Sequence, residues 1–117
     1  MDLNPEGVLS HSVSGCMLSV TLLISASALY AADPSTEFKQ RCAQCHGPDA
    51  RGNTTIGKSL KIPDLSGAEA GKRSDAELTQ VISEGRGSMP GFKATLDAPS
   101  IKKLVGYIRS LQKTARK

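Results

Sequence analysis

The pattern of apolar and charged positions changes at residue 32. From Gly7 to Ala32 no residue carries a formal charge, and the centre of this run, Met17–Ile24, is strongly apolar. Such a run is typical of an export signal, although about 20 apolar residues can also span a bilayer. We therefore expect residues 1–32 to be a signal peptide, cleaved near Ala31, or alternatively a membrane anchor. Residues 33–117 form the mature domain.

Both ends of the mature domain carry helix signals. At Asp33-Pro34 the carboxylate can cap a helix and the proline suits its first turn, so we expect a helix from there to about Gly47-Pro48. A last helix is predicted over about Ser100 to Lys113, capped by Asp97 or Ser100. Its apolar residues recur at helical spacing and predict one buried stripe. The stripe consists of Ile101, Leu104, Val105, Ile108 and Leu111.

Between these helices the chain predicts mostly loop. The segment Gly47–Arg73 is rich in Gly, Pro, Asn, Ser and Thr. A capping box at Ser74–Glu77 then predicts a short helix that ends at Gly85. With these helices as the predicted elements, we expect an all-α single domain. A loop this long inside a small domain needs something to order it.

All the strong positive charge lies in the mature domain. This domain contains all fifteen Lys and Arg residues and nine of the chain's eleven acidic residues, which gives it a formal charge of +6. No acid follows Asp97, so the last helix is strongly basic. This face is either simply solvated or a docking surface for an acidic partner protein. No nucleic-acid-binding motif accompanies the charges, and nucleic acid is not an expected partner.

The chemistry of the chain centres on the sequence Cys42-Ala43-Gln44-Cys45-His46. This spacing is the attachment signature of c-type haem, in which each thiol forms a thioether and the histidine Nε2 binds iron. A structural zinc site, a thioredoxin-like redox pair and a local disulfide are the alternatives. Zinc needs four ligands, and the other candidates, Cys16 and His11, lie in the leader. A redox pair is expected near a βαβ pattern, which is absent here.

A second candidate residue, Met89, lies in the Gly- and Pro-rich segment Gly85–Phe92. It is the only methionine after the leader. A lone methionine is usually a packing residue, but next to an implied haem its thioether is a suitable sixth ligand. Ligation by histidine and methionine raises the reduction potential of haem iron.

Large apolar side chains are scarce in the mature domain, whose aromatic residues are Phe38, Phe92 and Tyr107. A domain of this size buries a marginal core by itself. A buried porphyrin would supply the missing apolar volume, so we expect the haem-free polypeptide to be largely unfolded. Four apolar residues of the loop are available to line the haem: Ile56, Leu60, Ile62 and Leu65.

These features together resemble the class I c-type cytochromes over essentially the whole mature chain. Cys42, Cys45 and His46 match the family's attachment residues, and Met89 matches its distal ligand. The resemblance implies a small cytochrome c fold organised around one covalently attached haem c. It also implies iron held by His46 and Met89.

Further positions carry the same resemblance. Pro63-Asp64-Leu65 looks like the loop in which the proline carbonyl accepts a hydrogen bond from the proximal histidine, so Pro63 would orient His46 and Leu65 would contact the haem. Phe38 and Tyr107 look like the aromatic contact where the terminal helices cross. The chain has no tryptophan to contact a haem propionate. The candidate propionate partners are Lys72, Arg73 and Arg86.

The expected function is that of a one-electron carrier between periplasmic or membrane redox partners, and not of an enzyme. We expect a periplasmic monomer, or a form anchored in the membrane and facing the periplasm if the leader is not cleaved. A haem c subunit of a larger redox enzyme is one alternative. A peroxidase-like haem enzyme is another, and it would need an open sixth position on the iron.

Overall fold

The computed structural model describes residues 33–117, so the predicted leader lies outside the described residues. Six helices follow in chain order: α1 (Pro34–Arg41), α2 (Ala43–His46), α3 (Thr55–Ser59), α4 (Ala68–Gly71), α5 (Asp75–Glu84) and α6 (Ala98–Ala115). This part of the chain contains no β-strand, and its one isolated bridge pairs Arg86 with Met89. The all-α prediction is therefore confirmed. None of these helices is long and apolar enough to cross a bilayer.

The first predicted helix is divided in two. Its start is as expected, because the Asp33 side chain accepts a hydrogen bond from the Thr36 backbone N–H at 3.2 Å. At Cys42 φ widens to −112° although the backbone stays in the right-handed helical region, and the Cys42 carbonyl accepts hydrogen bonds from the N–H groups of both Cys45 and His46. This tightened turn separates α1 from α2. The predicted end is confirmed at Gly47, whose φ is +78°.

The hydrophobic core lies where α6 crosses α1 and α5. Phe38 of α1 is 1% exposed, and its ring lies 5.4 Å from that of Tyr107 with the planes tilted by 57°. The expected contact between the terminal helices is confirmed. Leu78 and Ile82 of α5 pack against the same core. The remaining large members come from the stripe of α6: Ile101, Leu104, Val105 and Ile108.

The last helix is longer than predicted at both ends, and the buried stripe along it ends at a different residue from the one predicted. Asp97 is the cap, since its carboxylate accepts from the Ser100 backbone N–H at 2.8 Å. Leu111, predicted to be buried, is only half-buried at the edge of the core. The next residue, Gln112, is buried instead with 3% exposure. The helix therefore meets the loop region through a polar side chain in its last turns.

The segment predicted as mostly loop is mostly loop, and it also contains two short helices, α3 and α4, that were not predicted. Helices of four or five residues do not persist by themselves, because nucleation costs more than a few intrahelical bonds return. Contacts with the rest of the chain hold them in place. The helix predicted from the capping box is confirmed: Ser74 and Glu77 bond reciprocally, and α5 ends at Gly85.

Candidate haem site

The turn between α1 and α2 opens onto a cavity of about 370 Å³. Cys42, Cys45 and His46 line one wall, as expected of a motif whose three side chains act on one ligand. Met89, which lies more than forty residues later, lines the same cavity. The predicted site residues Pro63 and Leu65 also line it. The fold therefore brings together all six residues named from the sequence.

The sulfur atom of Cys42 lies in a setting that favours the protonated thiol. Cys42 and Cys45 are both free thiols and half-buried. Burial raises the pKa of the Cys42 thiol to about 11, and the nearby Glu37 carboxylate adds to the rise. Thiols of redox pairs instead have a lowered pKa in electropositive surroundings. This environment does not favour redox-pair chemistry, and it is compatible with thiols that add to an apolar double bond.

His46 is buried, with 8% exposure, and burial lowers the pKa of its imidazole. The neutral ring is the form that binds metals. Its Nδ1 is buried without a hydrogen-bond partner among the residues described. The predicted bond from Nδ1 to the Pro63 carbonyl is therefore not formed in this structure, and the role of Pro63 in orienting His46 stays a prediction. Pro63 is an exposed loop residue and lines the cavity without making that bond.

The backbone of the motif is supported by α3. The Thr54 hydroxyl donates to the Cys45 carbonyl at 2.9 Å and accepts from the Gly57 N–H at 2.8 Å. Gly57 lies so close that a Cβ at this position would be 2.6 Å from the same Cys45 carbonyl oxygen. The Gly52 N–H donates to the His46 carbonyl. These contacts were missed from the sequence, where only the capping tendency of Thr54 pointed to them.

Met89 is held in a short turn beyond α5. Its N–H and carbonyl exchange hydrogen bonds with those of Arg86, both at 3.0 Å. Gly85 makes the turn possible: its φ is +82°, and a Cβ there would be 2.5 Å from the Met89 carbonyl oxygen. The side chain of Met89 is half-buried against the core and faces the cavity. The turn thus presents a thioether at a defined place in the wall.

The rest of the cavity wall is mainly apolar. Leu60, Ile62 and Leu65 line it as predicted. Ile56 does not: it lies on the outer side of α3 with 38% exposure, so its prediction as a lining residue is wrong. Helix α5 and the turn after it supply apolar residues that were not named as lining residues from the sequence, namely Leu78, Val81, Pro90 and Phe92.

Four cationic side chains and no acidic one line the cavity. Arg73 and Arg86 are there, as expected of candidate partners for a negative group. Lys72 is not in the wall and pairs with Glu69 at 2.6 Å, which corrects the prediction for that residue. The sequence also missed two cations, Arg41 and Lys61. The cavity therefore suits an apolar ligand that carries negative groups at its edge.

A haem c fits this set of residues. The cavity combines two thiols, a buried neutral imidazole with an orphaned nitrogen, a thioether, apolar walls and a cationic rim. Zinc fits less well, because structural zinc takes four ligands. Among residues 33–117, no three side chains of His, Cys, Asp or Glu come together as a metal site.

Comparison with known proteins gives a consistent result. Residues 30–108 match the family model described as cytochrome C oxidase, cbb3-type, subunit III. The chain is 32% identical over 111 residues to the cbb3-type cytochrome c oxidase subunit CcoP of Azospirillum brasilense, covering 91% of this chain and 38% of that protein. It is also 32% identical to the subunit FixP of Bradyrhizobium sp. (strain ORS 278), with coverage of 93% and 36%. The chain thus spans a little over a third of these curated relatives.

The fold also resembles that of a protein of known structure. The protein described as KustC0563 c-type cytochrome superposes with a TM-score of 0.64 and 31% sequence identity. The match covers 69% of this chain and 99% of that one.

Proposed function

This chain belongs to the c-type cytochrome family described as cytochrome C oxidase, cbb3-type, subunit III, and we propose that it carries electrons on one haem c held by Cys42, Cys45, His46 and Met89. Its fold is the all-α fold of c-type cytochromes, and the proposed role is electron transfer. The observation that carries the proposal is that these four side chains line one largely apolar cavity.

The chain's own residues would have separate tasks at this site. Each thiol of Cys42 and Cys45 would add across one vinyl group of the haem, with its sulfur bonding to one vinyl carbon and its proton going to the other. His46 and Met89 would hold the iron through an imidazole nitrogen and a thioether sulfur. When bound, haem supplies an iron that alternates between the ferric and ferrous states. The thioether of Met89 favours the ferrous state and raises the potential.

The walls and the rim would tune the same site. Apolar side chains such as Leu65 and Leu78 exclude water, and a dry site makes the extra charge of ferric iron more costly. Arg73 and Arg86 would balance the haem carboxylates. Pro63 stays a candidate for orienting His46 once the site is filled.

The names of the relatives favour one refinement of this role. They are subunits of cbb3-type oxidases, so a membrane-bound oxidase or another redox protein is the proposed partner. We also propose that the chain is exported to the periplasm, either free as a monomer or anchored by residues 1–32. Intact-mass analysis of the exported protein would distinguish cleavage from anchoring and would count the attached haems.

Replacement of both cysteines tests the attachment. In the double variant Cys42→Ser and Cys45→Ser, acid–organic extraction should remove all haem, whereas the wild type should keep it. The conservative change leaves the turn intact, so any loss follows from the missing sulfurs. Haem that stays on the double variant would contradict covalent attachment.

Replacement of Met89 tests the carrier against the peroxidase-like alternative. Met89→Leu keeps a similar apolar volume and removes only the sulfur. It should abolish the weak long-wavelength absorption of ferric iron bound to methionine, lower the reduction potential and let cyanide bind quickly. Leu60→Ala is the control, because it trims the same cavity without changing a ligand. A wild type that already lacks the band, or that turns over peroxide as fast as the variant, would favour the enzyme.

A further inference from the structure

A polar pair on α6, the buried Gln112 and the half-buried Arg109, contacts two residues of the cavity wall. Gln112 is 3% exposed, although it lies in the last turns of a helix whose neighbouring cations face solvent. Its Nε2 donates to the Leu65 carbonyl at 2.8 Å. Its Oε1 accepts from Nη1 of Arg109 at 3.0 Å. Both ends of the buried amide are therefore satisfied, and one of them is satisfied by a residue that lines the cavity.

Arg109 extends the contact to a second residue of the cavity lining. Its Nη2 donates to the carbonyl of Arg73, another residue that lines the cavity. Its Nε donates to the Asp75 carboxylate at 2.8 Å, at the first residue of α5. One guanidinium thus joins α6, the start of α5 and the segment before it.

The two anchored residues, Leu65 and Arg73, flank the four-residue helix α4. Both backbone polar groups of Leu65 are hydrogen-bonded. Its N–H donates to the Ala50 carbonyl at 2.8 Å, and its carbonyl accepts from Gln112. A helix as short as α4 does not hold a loop in place by itself. The position of this wall therefore depends on hydrogen bonds from α6.

We propose that Arg109 and Gln112 are positioning residues that hold Leu65 and Arg73 in place in the cavity wall and thereby set the exposure of the haem to water. This proposal rests on the haem site proposed above. Loss of either residue leaves a carbonyl of the wall without its partner, and such a group is stabilised by admitting water. Water stabilises ferric iron more than ferrous iron, so a loosened wall lowers the reduction potential.

A purely stabilising role would have a different signature. The pair joins three elements, so its loss lowers the melting temperature in either case. Only a positioning role also opens the wall locally in the folded protein and shifts the potential. The readouts are therefore amide exchange at the two anchored residues and the potential of the intact holoprotein.

The experiment compares two variants with one control. Gln112→Glu keeps the shape and the bond from Arg109 but cannot donate to the Leu65 carbonyl. Arg109→Gln removes the donors to Arg73 and Asp75. Lys113→Gln removes one positive charge from an exposed site on the same helix and controls for charge.

In both test variants the amides of Leu65 and Arg73 should exchange about tenfold faster than in the control, which is the effect of losing one net hydrogen bond. The amide of Leu104, in the core of α6, should exchange as in the control. The reduction potential should lie below that of Lys113→Gln. If Arg109→Gln does not fold, Arg109→Lys keeps the charge and loses the branched contacts, and it should show the same shifts in smaller measure.

The opposite outcome is equally specific. Exchange at Leu65 and Arg73 equal to that of the control, or an unchanged potential with a lower melting temperature, would overturn the positioning role. Failure of the proposed haem site gives a different result from failure of the positioning role. A wild-type protein that folds but attaches no haem would contradict the proposed function. Its amide exchange would still test the contact between α6 and the wall.

Discussion

Gly57 is the position where a single added methyl group should do the most damage near the haem motif. An ideal Cβ at this residue would lie 2.2 Å from the Gly52 carbonyl oxygen and 2.6 Å from the Cys45 carbonyl oxygen. Both neighbours are backbone atoms, which cannot turn aside as a side chain can. Gly57→Ala must therefore move α3 away from the turn that carries Cys45 and His46.

The cost of that movement outweighs the gain in helix propensity. Alanine in a helix gains about 1 kcal/mol over glycine. Overpacking costs about 1–3 kcal/mol, and displacing α3 also strains the bonds of Thr54 to Cys45 and Gly57, each worth about 1 kcal/mol. We expect a net loss of roughly 2 kcal/mol. In a domain of this size that lowers the melting temperature by about 8–16 °C.

Gly106→Ala is the matched control. Gly106 lies inside α6, is exposed, and has no atom within 4 Å of an added Cβ. There the propensity gain is unopposed, and the melting temperature should rise by a few degrees. Thermal unfolding of the two holoproteins, followed by circular dichroism and by haem absorption, measures the difference.

The two substitutions are chemically identical, so only their surroundings can make the results differ. If Gly57→Ala is as stable as Gly106→Ala, the close approach of α3 to the haem motif is refuted. A destabilised Gly57→Ala that loses the long-wavelength band of methionine-bound ferric iron before its helices melt would place the damage at the haem site itself.

Three further predictions concern the whole domain. The haem-free polypeptide should be largely unfolded by circular dichroism, and a cooperatively melting apoprotein would contradict this. Electron transfer to an acidic partner should slow as salt rises if the basic face of α6 docks it, because exposed charges more than about 10 Å apart are screened at 0.1 M; rates independent of salt would leave that face merely solvated. Hydrogen bonds from Ser100 lower the pKa of Asp97, so the stabilisation by this cap is present above the unfolded pKa and is lost as pH falls through the folded pKa. Asp97→Asn should flatten the acid limb of a plot of melting temperature against pH, and an unchanged limb would exclude Asp97 as its source.

Features that depend on residues close together in the chain were predictable from the sequence. The caps at Asp33 and Asp97 and the capping box at Ser74–Glu77 are formed as expected, because each is a contact over two or three residues. The haem motif is recognisable in the sequence for the same reason, since Cys42–His46 contains both attachment cysteines and the histidine ligand in five consecutive residues. The crossing of Phe38 with Tyr107 was expected from the family resemblance and is present.

Other features were decided only when distant parts of the chain met. Nothing local distinguishes Leu60, which lines the cavity, from Ile56, which faces out one turn earlier on α3. Gln112 is buried in place of Leu111 because the Leu65 carbonyl, 47 residues away, offers it a partner. The sequence lists both residues but not their separation in space.

The sequence by itself therefore determined the helices with strong local signals, the attachment motif and Met89 as a candidate ligand. The tertiary structure alone decided that α3 and α4 form, which cations line the cavity, and that Nδ1 of His46 is buried without a partner. The physical reason is the range of the interactions. Caps and motifs act between neighbours in the chain, whereas short helices and cavity walls are stabilised by atoms that only the fold brings within hydrogen-bonding distance.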